Sequence, residues 1–163
     1  MNELQRLLTS DGAFTPPRCI FKEIPGDLRH ARPAGVAHSI AEELWHIVYW
    51  QENMLAWARR RPLPYPSSSS EGWVSLDECS DAEWGSLIAR FDQALDEASR
   101  LAAQPAHALS EQDTSYDEPG APRVTRLDVL IDMAVHDAYH LGRIVQLRQM
   151  LGIWPPPGGG DQW

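Results

Sequence analysis

Cysteine is scarce in this sequence: of 163 residues only two are cysteines, Cys19 and Cys79. They are far apart and fit no metal-binding spacing, so both are expected to be reduced thiols. The sequence also lacks any apolar run long enough to span a membrane, and its first residues lack the apolar core of a signal peptide. These absences together predict a soluble cytoplasmic protein.

Positive charge is scarce as well, with 14 basic against 23 acidic side chains and a formal net charge of −9. A surface with this excess of acid repels nucleic-acid phosphates and anionic membrane surfaces. The single run of arginines, at residues 59–61, ends a predicted helix, where cations suit the helix dipole. We therefore expect no nucleic-acid partner and no membrane partner.

What the sequence does contain is three long helical segments, each of which begins with a similar start signal. Each time, a hydroxyl residue precedes an acid by three positions, which is the capping-box arrangement that satisfies free backbone N–H groups. The pairs are Ser39 with Glu42, Ser80 with Glu83 and, in a looser form with aspartate, Thr125 with Asp128. The predicted helix ends are Arg61, Gln104 and Leu151, each followed by a proline or a glycine.

The N-terminal part is also predicted to be helical. The leucines within residues 4–8 favour a short helix that stops near Gly12, and Pro16 or Pro17 opens a second one. Counted together, these segments give four principal helices, and no convincing strand is recognised. The economical architecture is an all-α four-helix bundle.

One domain is predicted to span residues 1–163. Long polar crossover loops, rich in proline and serine, connect its helices. The tail at residues 152–163 is rich in proline and glycine and is expected to be extended. An exposed indole leaves a large apolar surface in contact with water. Trp154 and Trp163 therefore suggest that this tail packs along the protein surface.

His136 and His140 are the most informative pair of residues. They lie four positions apart inside the third predicted long helix, so both side chains share one face. An apolar stripe runs beside them, and burying two imidazoles without partners is costly. A shared metal ion would remove that cost. The alternative, two histidines that are simply buried or solvated, stays open on spacing alone.

A third ligand must come from upstream, because no histidine or glutamate follows His140. This argues against a zinc protease, although His136, Asp137 and His140 look like the HExxH pattern with aspartate for glutamate; those proteases take a third ligand downstream. His46 is the best candidate, because it lies midway along the first long helix among tryptophans and aliphatic residues. The remaining histidines are expected to cap a helix or face solvent (His38) or to be solvated (His30 and His107).

Three acids are candidates to orient the imidazole rings through their second nitrogen: Asp132, Glu42 and Glu43. For each one singly, an ordinary solvent-facing helix acid is the preferred alternative. Two tryptophans on the His46 helix, Trp45 and Trp50, are candidates to line an apolar substrate pocket. Packing in the core is the preferred alternative for both.

Two stretches resemble the signature helices of the DinB/YfiT-like superfamily. They are residues 39–51, Ser-Ile-Ala-Glu-Glu-Leu-Trp-His-Ile-Val-Tyr-Trp-Gln, and residues 136–148, His-Asp-Ala-Tyr-His-Leu-Gly-Arg-Ile-Val-Gln-Leu-Arg. The resemblance extends to the long crossover, the helix order and the Gly-Gly-Asp-Gln-Trp ending. It implies an up-up-down-down four-helix bundle, often dimeric. One departure is Arg143, where relatives often carry glutamine.

The same resemblance implies a metal site. The family places one histidine on the second helix and an HxxxH pair on the fourth, which correspond here to His46, His136 and His140. Many members bind a divalent ion such as nickel or zinc. Characterised relatives include transferases and isomerases that use bacillithiol, mycothiol or glutathione. The expected partners of this chain are thus a small electrophilic substrate and a second copy of itself.

Three neutral imidazoles leave a divalent ion with at least one open position, as catalytic sites require. A thiol at that position would lose its proton near neutral pH. The function that we expect is therefore a metal-dependent transferase that activates a low-molecular-weight thiol. Two alternatives stay open: a metal-dependent hydrolase that uses bound water, and a non-catalytic metal-binding dimeric bundle.

Overall fold

Three long helices form the framework of the protein in a computed structural model, which describes residues 1–9, 15–59, 61, 63–64, 66–110, 112–113 and 124–156. The helices are α1 (Glu3–Thr9), α2 (Pro17–Ile20), α3 (Ile40–Ala58), α4 (Asp81–Ala102), α5 (Ala106–Leu109) and α6 (Arg126–Met150). Single 3₁₀ turns cover Gly26–Leu28 and Ser69–Gly72. Within the described chain, none of these helices is long and apolar enough to cross a membrane.

The predicted starts of the long helices are confirmed. At Ser39, Ser80 and Thr125 the side-chain oxygen accepts the backbone N–H three residues on, and the acid there accepts the N–H of the capping residue. The helices end at Ala58, Ala102 and Met150, within three residues of the predicted ends. Gly152 has a φ of +71°, so it closes α6 in the left-handed conformation that favours glycine.

Helix α3 is the central element, because it packs against both α4 and α6. Two contacts along each pair of helices show that α3 runs parallel to α4 and antiparallel to α6. They are Glu52 with Arg90 and Arg59 with Glu97 for α3 and α4, and Glu43 with His140 and Ala58 with Arg126 for α3 and α6. Residues near the start of α3 therefore face the C-terminal half of α6.

The N-terminal segment runs antiparallel to α4. The contacts are Asn2 with Ala102, Gln5 with Ser99, Arg18 with Asp96, and Arg29 with Asp81. The all-α bundle is confirmed, but its helices point up, down, down and up in chain order. The up-up-down-down order implied by the resemblance is therefore wrong. Tertiary packing sets helix direction, and local helix signals carry no information about it.

Two local features differ from the prediction. Helix α2 spans only four residues, because the chain leaves helical geometry before Glu23, whose φ is +53°. A two-residue antiparallel pair, β1 (Gln112–Asp113) with β2 (Val124–Thr125), was not predicted. Trp154 packs against the core, whereas the predicted stop near Gly12 and the tail beyond residue 156 lie outside the described residues.

The buried side chains form two apolar clusters. The first includes Ile20, Phe21, Ile40, Leu44, Ile47, Phe91, Leu141, Ile144 and Leu147. The second includes Leu8, Leu55, Ala94, Ala98, Leu130, Met133 and Ala134. On α6, the stretch from His136 to His140 lies between the residues of the two clusters. Buried polar side chains of α3, among them Glu43, His46 and Gln51, face this stretch. The bundle thus holds a polar layer in its interior.

Glu42 links α3 to the preceding loop and to the segment before α4. Its carboxylate accepts from the Arg32 guanidinium and from the backbone N–H groups of Ser39 and Leu76. Burial alone raises the pKa of Glu42, but these donors outweigh it and lower the pKa to about 2. The ionised form is therefore stabilised by folding.

We expect this contact to make stability depend on acidity. Because the folded pKa lies below the ordinary 4.5, the stabilisation is complete above pH 4.5 and is lost as the pH falls towards 2. Urea unfolding should show Glu42→Gln less stable than the wild type by about 1–3 kcal/mol at pH 7. This difference should shrink between pH 4.5 and pH 2. A difference that stays constant over this range would contradict the assignment.

Candidate metal centre

Three histidines from two facing helices meet in the polar layer. His46 projects from α3, and His136 and His140 project from successive turns of α6. One ring nitrogen from each lies within 4.8 Å of the others, and the Nε2 atoms of His46 and His136 are 3.2 Å apart. The ring centroids are 4.4 to 5.1 Å apart. The structure thus brings together the three residues that the sequence singled out.

The His46 ring is held by a backbone carbonyl. Its Nδ1 lies 2.6 Å from the Gly72 carbonyl oxygen in the 3₁₀ turn Ser69–Gly72. A carbonyl can only accept, so the ring proton sits on Nδ1 and the Nε2 lone pair faces the other histidines. Burial, together with the nearby His140 and His136, lowers the pKa of His46 to about 4, although the carbonyl opposes this. The ring is therefore neutral at pH 7, as a metal ligand must be.

The His140 ring is held by a buried carboxylate. Its Nδ1 lies 2.7 Å from Oε2 of Glu43, whose side chain is fully buried. The other oxygen of Glu43 forms an ion pair of 2.7 Å with Arg143, whose guanidinium also lies over the Tyr139 ring. Arg143 thus balances the buried charge behind His140.

The third ring, His136, is less firmly held. Its Nδ1 lies 3.8 Å from Oδ1 of Asp137, and neither atom has a hydrogen-bond partner in the described part of the chain. The other oxygen of Asp137 accepts a 2.7 Å bond from the Gln51 amide. Burial raises the pKa of Asp137, against the opposing effect of His136 and Gln51. His136 is also the most exposed of the three ligand candidates, with 22% of its side chain accessible.

The acids proposed from sequence behave differently from one another. Glu43 orients an imidazole, but that of His140 on the facing helix rather than that of His46. Glu42, the adjacent residue, points away and pairs with Arg32. Asp132 is exposed and forms none of the hydrogen bonds or ion pairs found among the described residues. Gly72 and Gln51 carried no signal in the sequence, because their roles arise only when distant segments pack together.

An aromatic stack closes one side of the site. Trp73 lies between His38 and His46, with centroid distances of 3.7 and 3.8 Å. His38 is therefore a partly buried packing residue and caps no helix. Trp45 stacks on Tyr49 and packs against the core. This agrees with core packing, the alternative preferred from the sequence.

Of the other two histidines, His107 is exposed, as predicted. His30 is half-buried, and its Nδ1 has no hydrogen-bond partner among the described residues, so the expectation that it is solvated is wrong.

Gly72 allows a close approach between the turn and α3. A Cβ atom at this position would lie 3.0 Å from Nε1 of Trp50, which is tighter than ordinary contact. We expect Gly72→Ala to displace the carbonyl that holds His46 and to weaken zinc binding by about tenfold. Competition against a chromophoric chelator measures this. Gly85→Ala is the control, because a Cβ on this α4 residue meets nothing within 4 Å and should leave the affinity unchanged.

The donor set fits a divalent ion. Three imidazoles are the ligands of many catalytic zinc sites, and acceptors behind metal-ligating rings fix which nitrogen faces the ion. Two of the three rings here have such an acceptor. The third, His136, brings its Nε2 to 3.2 Å from Nε2 of His46, while its Nδ1, next to Asp137, has no hydrogen-bond partner in the described residues. A three-histidine cluster of this kind is suited to metal binding.

A family model described as the DinB superfamily matches residues 18–144. The matched range includes all of α3 and α4 and every histidine of the cluster. None of the curated proteins compared with the chain matches it.

Proposed function

The chain belongs to the DinB superfamily, and from this premise we propose that it is a metal-dependent transferase that activates a low-molecular-weight thiol. The proposed ligands are His46, His136 and His140, and the proposed ion is zinc or nickel. One observation carries the proposal: three ring nitrogens lie within 4.8 Å of one another in a buried layer of the bundle. Burying three imidazole nitrogens together removes them from water, which is unfavourable unless they gain partners. A bound ion would provide such a partner for all three.

The surrounding groups support a site that is ready for a ligand. The Gly72 carbonyl and the Glu43 carboxylate each accept a hydrogen bond from the Nδ1–H of one ring, so His46 and His140 present their Nε2 lone pairs inward. Glu43 also contributes negative charge next to the centre, which favours a cation there. With three neutral protein ligands, at least one position remains for an exogenous molecule.

A divalent ion at such a position supplies a Lewis acid that lowers the pKa of a thiol or of water. In the proposed reaction, the thiol loses its proton to solvent and its sulfur forms a bond to an electrophilic carbon, from which a leaving group departs. The role of the chain is to orient the three imidazoles and to exclude bulk water from two of them. His46 and His140 are 6% and 5% exposed, which suits this role.

The test is thiol consumption by the reconstituted protein. Zinc-loaded and nickel-loaded samples are incubated with 1-chloro-2,4-dinitrobenzene and with glutathione, bacillithiol or mycothiol. The thioether product is then measured above the uncatalysed rate. The proposal expects product only when both metal and thiol are present, and no product from His140→Ala under the same conditions.

The same assay separates the alternatives. Loss of the electrophile without thiol consumption would favour a hydrolase. Stoichiometric metal without turnover for any thiol would contradict the transferase and leave a metal-binding bundle.

Homodimer formation is a further part of the proposal. It is supported by the family membership, since many relatives are dimeric. Light scattering coupled to size-exclusion chromatography should give about twice the chain mass of 18.3 kDa. A mass of one chain at micromolar concentration would contradict it.

A further inference from the structure

Among the three histidines of the cluster, His136 is the most accessible in the described part of the chain. The His136 side chain is 22% accessible, whereas that of His140 is 6% accessible. A depression of about 340 Å³ lies next to His136, between α3 and α6. Its volume is in the range of sites that hold small organic molecules. A molecule in this depression would contact the exposed edge of the cluster.

The walls of this depression are apolar and aromatic. Trp50, Met54 and Trp57 contribute from α3, and Val129 and Val135 from α6. The Trp50 ring meets the His136 ring edge to face at 6.2 Å and lies 6.3 Å from the Trp57 ring. The indoles thus continue the aromatic surface outward from the cluster. Planar apolar groups gain most from such walls, because they bury a large area at little entropic cost.

The charge that lines the depression is negative. Among the described lining residues, Asp132 is the only one with a permanently charged side chain. It is exposed and has no ion-pair partner in that part of the chain, so its charge is uncompensated locally. An anionic ligand would lose its hydration here and meet a carboxylate, which disfavours it. A neutral or cationic ligand does not incur that repulsion.

We propose that this depression binds the aromatic or apolar part of a small substrate that is uncharged or cationic, and that Asp132 discriminates against anionic substrates. The inference names the substrate class of the proposed transferase site. It therefore rests on the proposed function for the claim that the bound molecule reacts. Binding itself requires neither metal nor thiol. It can therefore be measured separately from turnover.

The methionines of the chain provide a built-in reporter. Met54 lines the depression, Met133 is buried in the core, and Met150 lines a separate groove beside Arg143. The experiment is methyl NMR of the full chain with ¹³C-labelled methionine, with the Met54 signal assigned by Met54→Leu. The chain is titrated, both metal-free and zinc-loaded, with benzylamine, benzyl alcohol and benzoate. These probes share one ring and differ in charge.

The Met54 methyl should shift saturably with benzylamine and benzyl alcohol, while those of Met133 and Met150 move little. Benzoate should bind at least about threefold more weakly than benzylamine. In Asp132→Lys, the ratio of the two affinities should change by about tenfold in favour of benzoate. Glu78→Lys reverses the charge of an exposed acid that does not line the depression, and it should leave the ratio unchanged.

Three results would overturn the inference: a Met54 methyl that does not respond to any probe, wild-type binding of benzoate equal to that of benzylamine, or an unchanged ratio in Asp132→Lys. Because Asp132 and Glu78 are exposed, neither variant should disturb folding. A Met54 response without thioether formation in the turnover assay would uphold the binding site and contradict the transferase. Thioether formation without a Met54 response would support the transferase and contradict the binding site.

Discussion

Alanine at His46, His136 or His140 is expected to lower the zinc affinity of the chain by at least about a thousandfold. Each substitution removes one of three proposed ligands and leaves two, which hold a divalent ion only weakly. The three losses should be of similar size, because the three rings converge on one point. Competition titration against a chelator of known affinity, with zinc and with nickel, measures each loss.

His38→Ala is the matched control for this series. His38 lies one ring away from His46, on the far face of Trp73, and offers no nitrogen to the cluster. Its removal should change the zinc affinity by less than about threefold. Circular dichroism of the metal-free variants verifies that each is folded. Full affinity in any one of the three cluster variants would remove that residue from the ligand set.

The second large effect is expected at Glu43. Glutamine at this position keeps an acceptor for His140 but removes the negative charge that polarises the ring. It also leaves Arg143 without its partner. We expect Glu43→Gln to weaken zinc binding by about ten- to a hundredfold, the range typical of groups behind a metal ligand. The same chelator titration measures it.

Glu42→Gln is the control, because it changes the adjacent, equally buried acid. Glu42 pairs with Arg32 and forms no contact with the histidines. It should therefore lower stability and leave the zinc affinity within about threefold of the wild type. Equal losses of affinity in both variants would show that the effect comes from disruption of α3 rather than from the contact with His140.

The helices could be predicted because their signals are local. The boxes at Ser39, Ser80 and Thr125 each need only residues three apart, and all of them are present in the structure. The histidine cluster was also within reach of sequence reasoning. The spacing of His136 and His140 placed them on one face, and the absence of a later ligand directed attention to His46.

The rest depends on long-range packing and could not be predicted in this way. The direction of the N-terminal segment relative to α4 follows from contacts such as Asn2 with Ala102, which are a hundred residues apart. The carbonyl of Gly72 reaches His46 only after the crossover folds back onto α3. Glu42 and Glu43 are indistinguishable in sequence, because helix rotation decides which of them faces α6.

The most direct test of the three-histidine centre is X-ray absorption of the protein loaded with zinc. We expect one zinc per chain, with nitrogen or oxygen ligands at about 2.0–2.1 Å. The outer-shell scattering should correspond to three imidazoles, and to two in His136→Ala if zinc is retained there. Sulfur at about 2.3 Å, fewer than three imidazoles in the wild type, or no stoichiometric zinc after reconstitution would contradict it.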